Sequence, residues 1–97
     1  REAAIEPIAS LRSSYYLRFQ AIDRPGVLAK IASLLGKHRI SISSVYQNVR
    51  EEGKVVPIVI LTHDALEKDI QTAIAKIDRL DVMKEKTLLI RVEEKLR

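Results

Sequence analysis

Along this chain a two-residue hydrophobic alternation gives way to a helical apolar stripe, returns as two β-rich segments, and then repeats the change, an order that few folds accommodate. Residues 15 to 22 place Tyr15, Leu17, Phe19 and Ala21 on one side and Tyr16, Arg18, Gln20 and Ile22 on the other, as a strand requires. From Pro25 to about Lys37, Val27, Leu28, Ile31, Leu34 and Leu35 recur at helical spacing. Ile40, Ile42, Val45 and Val49 form a second β-rich segment whose apolar set changes parity near Ser44, consistent with a bulge or with burial on both faces. Arg50-Glu51-Glu52-Gly53 is polar and ends in glycine, which predicts a hairpin turn into a third strand over Lys54 to Thr62. The run Val55, Val56, Ile58, Val59, Ile60 and Leu61 implies cover on both faces of that strand, and Pro57 removes one ladder donor. Asp64 or Thr62 is expected to cap a second helix carrying Leu66, Ile70, Ala73, Ile74 and Ile77 and ending near Arg79, after which Val82 to Val92 supplies a fourth strand.

The order strand, helix, strand, strand, helix, strand predicts an α+β, ferredoxin-like βαββαβ sandwich: a four-stranded antiparallel sheet with both helices on one face. The opposite face is then left bare. Large exposed apolar surfaces are uncommon on stable monomers, so that face and the edge strands predict association with a second copy or with a parent protein. Residues 1 to 14, with Ile5, Ile8 and Leu11 around Pro7, are expected to link into a missing amino-terminal part; 15 to 92 form the domain, and 93 to 97 a charged tail.

With 97 residues the chain suits one compact domain, and without cysteine it holds no disulfide or thiolate metal site, which fits a reducing, cytoplasmic setting. The longest apolar run is too short to span a bilayer, and no membrane partner is expected. The chain starts at Arg1 without methionine or an apolar leader, so a fragment of a longer polypeptide is expected. The net charge of +4 is spread along the chain; Lys37-His38-Arg39 is its densest basic stretch, too short for a nucleic-acid patch.

The most informative chemistry lies in Asp23-Arg24-Pro25-Gly26-Val27-Leu28, between the first strand and the first helix. Pro25 is suited to a first helical turn, and Gly26 removes the side chain that keeps a ligand off the backbone. The amides of Gly26, Val27 and Leu28 are then expected to point outward and attract a carboxylate. A plainer reading has Asp23 cap the helix and Pro25 start it, with no ligand. Catalysis finds no support: the three glycines have structural duties, and His38 and His63 lie at element ends without a zinc or nucleophile spacing. Glu67, Lys68, Asp69 and the pair Glu93-Glu94 suit solvated faces.

The loop, followed by Ile31, Leu34 and Ile40-Ser41-Ile42-Ser43, resembles the ACT domain family of amino-acid-sensing modules over residues 15 to 92. Tyr15-Tyr16-Leu17-Arg18-Phe19, Ser44-Val45-Tyr46-Gln47 and Pro57-Ile58-Val59-Ile60-Leu61-Thr62-His63 extend the likeness toward the carboxyl-terminal ACT domains of the homoserine dehydrogenase family. The resemblance implies a regulatory piece with no cofactor of its own, NAD(P) in the missing catalytic part, and threonine as feedback ligand. It places the ligand between the first loop of one copy, at Asp23, Pro25, Gly26, Val27 and Leu28, and the second strand of a neighbour, at Ser41, Ile42 and Ser43 with Gln47. A homodimer or larger homo-oligomer is thereby implied. Asp23 is expected to meet the ammonium group, and Ser41, Ser43 or Gln47 a threonine hydroxyl. Many family members carry asparagine at the positions of Asp23 and Ser41, so this chain departs at two contacts. Two other readings stay open: a structural oligomerisation domain with a silent loop, and an RNA-binding module stacking bases on Tyr15 or Tyr16, which the aliphatic third strand disfavours.

Overall fold

The computed structural model describes residues 10–95. Its centre is β1 (Arg12–Ile22), whose odd-numbered side chains from Ser13 to Ala21 are all buried. The helix α1 (Val27–Lys37) and the antiparallel strands β2 (Ile42–Tyr46) and β3 (Val55–Thr62) follow. A two-residue strand β4 (Ala65–Leu66), the helix α2 (Glu67–Ile77) and β5 (Leu88–Lys95) complete the order. β3 pairs with β1 along one edge and β5 along the other. Because β5 already occupies one edge at Arg12 and Ser13, β4, which pairs with the same two residues, continues the β3 edge. The result is the ferredoxin-like sheet expected, in the order β2, β3 with β4, β1, β5.

Both helices lie on one face. Val27, Ile31 and Leu35 of α1 and Ile70, Ala73, Ile74 and Ile77 of α2 share a single core with Tyr15, Leu17, Phe19, Ala21, Ile58 and Ile60. The continuous apolar run of β3 is therefore covered by this chain on one side only: Val56, Ile58 and Ile60 are buried, whereas Val55 is about half exposed. On the far face, Leu88 and Ile90 stand opposite Arg18 and Tyr16, and Tyr46 stands opposite Val59; Leu88, Ile90 and Tyr46 are all exposed. The second layer implied by the composition of β3 is absent among the described residues.

Several boundaries differ from the sequence reading, each for a local reason. β1 begins at Arg12, inside the stretch expected to be linker, because Arg12 to Ser14 pair with Glu93 to Lys95 of β5; those three residues belong to the sheet and not to a charged tail. Ile5 and Ile8 lie outside the described residues, and Leu11 is half-buried. β5 starts at Leu88 and not Val82, since Val82 and Met83 are buried beside the end of β1 through one bridge, Ala21 to Met83, and an Ile22 N–H bond to the Val82 carbonyl of 2.9 Å. The parity change near Ser44 is a register shift between Ile42 and Ser44. Neither Thr62 nor Asp64 caps α2, whose N-cap is Leu66 without a side-chain bond. Both serve the one-residue offset between the β3 and β4 registers: Thr62 Oγ1 accepts the Tyr15 N–H at 3.1 Å, and Asp64 Oδ1 accepts the Ser14 hydroxyl at 3.0 Å. Their polar atoms supply partners the interrupted ladder lacks.

Glu67 is the clearest correction: it is buried, not solvated. Its Oε1 accepts the Tyr15 hydroxyl and Arg91 Nη2, the latter at 3.0 Å, and its Oε2 accepts Gln71 Nε2 at 2.7 Å. Burial pushes the carboxyl up, but the bonds from Gln71, Tyr15 and Arg91 outweigh it and hold the group below the usual glutamate range. Burial, and then the adjoining carboxylate, raise the Tyr15 phenol to about 12. Glu67→Ala is expected to destabilise the fold by about 2–3 kcal/mol in urea unfolding, the Tyr15 hydroxyl being left buried without its acceptor while the partly exposed Arg91 regains water. A phenol whose folded pKa is raised contributes stability below its unfolded value of about 10 and loses it as pH rises toward the folded value. Tyrosinate absorbance in the folded chain should accordingly show Tyr15 ionising at about 12, and earlier in Glu67→Gln.

Candidate functional site

At the end of β1 the alternation that buries Ser13 through Ala21 continues for one more step and carries Asp23 inward, where only 5% of its surface stays exposed. Every polar group of this residue is spent on the connection between β2 and β3. Its N–H donates to the Lys54 carbonyl at 2.8 Å and its carbonyl accepts the Gly53 N–H at 2.8 Å. Its carboxylate accepts Arg50 Nε at 3.2 Å on both oxygens, Arg50 Nη2 at 2.9 Å on Oδ1, and the Glu51 N–H at 2.6 Å on Oδ2. Three N–H donors reach the carboxylate, that of Arg50 Nε being shared between its two oxygens. Asp23 thus does not cap α1, and the carboxylate expected to meet an ammonium group is here engaged by Arg50 and the Glu51 N–H.

The loop itself is a turn and not a helix start at Pro25. Val27 N–H donates to the Arg24 carbonyl at 3.2 Å, and Gly26 has φ 86° and ψ −8°, the values of the third residue of a type II turn with proline second. Glycine is needed here for that left-handed φ; a Cβ would meet nothing within 4 Å, so conformation and not space selects it. The turn delivers the chain into α1, where Lys30 N–H bonds to the Gly26 carbonyl at 3.0 Å and α1 has no side-chain N-cap. Among the described residues no acceptor meets the N–H groups of Gly26 or Leu28. Of the three expected donors, Val27 is consumed within the turn and the other two stay open, at the positive end of an eleven-residue helix.

Two clefts flank this turn. One, of about 310 Å³, is lined by Asp23, Pro25, Arg50 and Glu52. The other, of about 190 Å³, is lined by Arg24, Pro25, Gly26, Val27, Lys30, Asp81 and Val82, so that two cations and one carboxylate border the cleft beside Gly26.

The second half of the expected site is elsewhere in the same chain. Ile42 stands opposite Thr62, with the Ser41 carbonyl accepting the His63 N–H at 2.9 Å, whereas Ile22, next to Asp23, stands opposite Val55. Seven residues of β3 separate these levels, which at strand rise is about 23 Å. Ser41 and Ser43 are exposed, and Ile42 is half-buried. Gln47, half-buried, follows the end of β2 and opens the connection that holds Asp23. One chain therefore does not bring Ser41, Ile42 and Ser43 to the Pro25-Gly26 turn.

A family model described as the ACT domain matches residues 15–82. The chain belongs to the ACT domain family. It is 43% identical over 91 residues to a homoserine dehydrogenase of Methylobacillus glycogenes, a match covering 93% of this chain and 22% of that protein. The homoserine dehydrogenase of Pseudomonas aeruginosa is 42% identical over 91 residues. A crystal structure of homoserine dehydrogenase from Thiobacillus denitrificans superimposes with a TM-score of 0.86 at 42% identity, over 96% of this chain and 20% of that one. The ACT domain from GTP pyrophosphokinase of Chlorobium tepidum shares the fold, with a TM-score of 0.66 at 13% identity, over 81% of this chain and 99% of that one. This ACT domain thus spans about a fifth of the length of the curated relatives it matches.

Sequence reasoning missed Arg50. It stood in a polar stretch that marks a turn, and nothing in its spacing ties it to a residue 27 positions earlier. The signal that pointed to it was Asp23 itself, an acid falling on the buried parity of β1. The Arg50 hydrogen bond, aided by the Glu51 N–H, holds the Asp23 carboxyl below the usual range, and burial opposes this only in part. A carboxyl so depressed contributes stability above its unfolded value of about 3.9 and loses it as pH falls through the folded value. Carboxyl-carbon NMR is expected to place the Asp23 midpoint below that of an unfolded aspartate, with Glu51 amide protection lost in the same step.

Proposed function

We propose that this ACT domain is the regulatory part of a homoserine dehydrogenase and binds free threonine between two copies. The observation carrying this reading is the pair of open amides, Gly26 and Leu28, at the start of α1, while the expected polar partners, Ser41 and Ser43, lie toward the opposite end of β3 in the same chain. An amino-acid carboxylate suits the helix start, where Arg24 and Lys30 outnumber Asp81 in the adjoining cleft. The open sheet face, with Tyr46, Val55, Leu88 and Ile90 exposed, supports pairing with a second copy or with the rest of the protein. A threonine hydroxyl then meets Ser41 or Ser43 of the second copy, and binding favours whichever subunit arrangement completes both halves. In this reading NAD(P) and the catalytic groups belong to the rest of the protein, which is cytoplasmic; among the described residues no helix is long and apolar enough to cross a membrane.

A second reading, a structural oligomerisation domain with a silent loop, draws on a specific observation: the Asp23 carboxylate is already paired with Arg50 and the Glu51 N–H. The RNA-binding reading loses one of its two platforms, because Tyr15 lies buried under the helices and only Tyr16 faces the open side.

Threonine at ten times its Kd is expected to raise the Tm of the chain by roughly 5–10 °C, and glycine or leucine at equal concentration by much less. Gly26→Asn and Gly26→Asp impose a similar burden on the left-handed φ and differ in charge. Loss of the threonine response in Asp but not in Asn, with dimerisation intact in both by sedimentation, is the expected outcome. An unchanged melting curve up to millimolar threonine favours the silent-loop reading.

A further inference from the structure

The loop between β1 and α1 does not set its own position. Asp23 is the residue through which it could shift, and its N–H, its carbonyl and both carboxylate oxygens are all bonded to residues 50–54. Gly26 follows only three positions later. Beside three backbone bonds from the connection, its one side-chain contribution is a long residue, Arg50, itself 63% exposed, closing onto a carboxylate that is 4% exposed. Such an asymmetry, a buried acid held by a cation reaching in from solvent, places the charged part of the contact in a residue that substitution can remove without opening the core.

We propose that Arg50 is a positioning residue of the effector loop: by bridging the Asp23 carboxylate it fixes the Pro25-Gly26 turn and presents the Gly26 and Leu28 amides in the arrangement that receives a carboxylate. The inference rests on the amino-acid-binding reading for its functional consequence, though not for its structural one. Three features support it. Nε bonds to both Asp23 oxygens while Nη2 bonds to one, a planar grip that orients the carboxylate as well as neutralising it. The Glu51 N–H, next in sequence, completes the same carboxylate, so the grip also sets the path of the connection. The cleft of about 310 Å³ between Pro25 and Glu52 is walled by Asp23 and Arg50 themselves, so the pair determines the shape of the space beside the turn. Arg50 acts through Asp23 and is given no contact of its own with the ligand.

The test uses Arg50→Gln, which keeps the stem and removes the charge, and Arg50→Lys, which keeps the charge as a point and cannot form the planar grip. Amide hydrogen exchange is read at Gly53, whose N–H bonds to the Asp23 carbonyl, with Leu17 and Ile58 as core references, and chemical shifts are read at Gly26 and Leu28. Threonine binding is measured by calorimetry on the same samples. The expected result is Gly53 exchange at least tenfold faster in Arg50→Gln, shifted Gly26 and Leu28 resonances, unchanged core protection, and threonine affinity about tenfold weaker, with Arg50→Lys between the two. Weakened binding with Gly53 protection intact would mean that Arg50 touches the ligand directly, and that overturns the proposal. So does lost protection with affinity unchanged. Should the parent chain bind no amino acid, that failure belongs to the binding reading, and the Gly53, Gly26 and Leu28 resonances still decide whether Arg50 positions the turn.

Discussion

The alternation of β1 is the constraint on which everything else rests. Residues 13, 15, 17, 19, 21 and 23 share one parity and are all buried. In the middle of the strand this is ordinary hydrophobic burial, with Leu17, Phe19 and Ala21 under α1 and α2. Toward its ends the same parity brings polar groups inward: among the described residues Ser13 Oγ is buried without a hydrogen-bond partner, whereas the Tyr15 hydroxyl and the Asp23 carboxylate have theirs. At one end the Tyr15 hydroxyl meets Glu67, which is itself held by Gln71 and Arg91; at the other Asp23 meets Arg50 and the Glu51 amide. A single central strand is thus flanked by two buried carboxylates, each satisfied by a guanidinium reaching in from a more exposed position.

The two ends serve different neighbours. The Tyr15–Glu67–Arg91 group joins β1, the first turn of α2 and β5, three elements of the scaffold. The Asp23–Arg50 group joins a loop to a loop, with few buried apolar contacts beside it, since Arg24, Pro25, Gly26 and residues 48 to 55 are all exposed. Segments of that kind open at lower free energy than the strands they connect. Polar grips rather than packing therefore govern the region where a ligand would sit, which makes its geometry sensitive to single charges.

The sequence made the scaffold legible because its hydrophobic periods are clean. Tyr15 to Ile22, the stripe of α1 and that of α2 each have one period and one partner layer. Where the reading failed, two explanations competed for the same residues. Val82 and Met83 are apolar and extended, which suits a strand, yet they are buried by tucking against the end of β1. Thr62 and Asp64 precede a helix and have capping chemistry, yet the offset between β3 and β4 claims them first. Glu67 sits among charged neighbours, and only its tertiary partners, 52 and 24 residues away, mark it as buried. The Pro25-Gly26 pair marked the site but not its form, because the dipeptide suits a helix start as well as a type II turn. Partners distant in sequence decide these cases, and no local pattern encodes them.

The distance between the Pro25-Gly26 turn and Ser41 has a consequence for dosage. A pocket that draws its walls from both places is a property of pairs, and the number of pairs falls with the square of protein abundance once the chain is dilute. Responsiveness to a metabolite would then fade on dilution even with the metabolite in excess, so that a receptor of this design registers how much of its own protein is present as well as how much ligand.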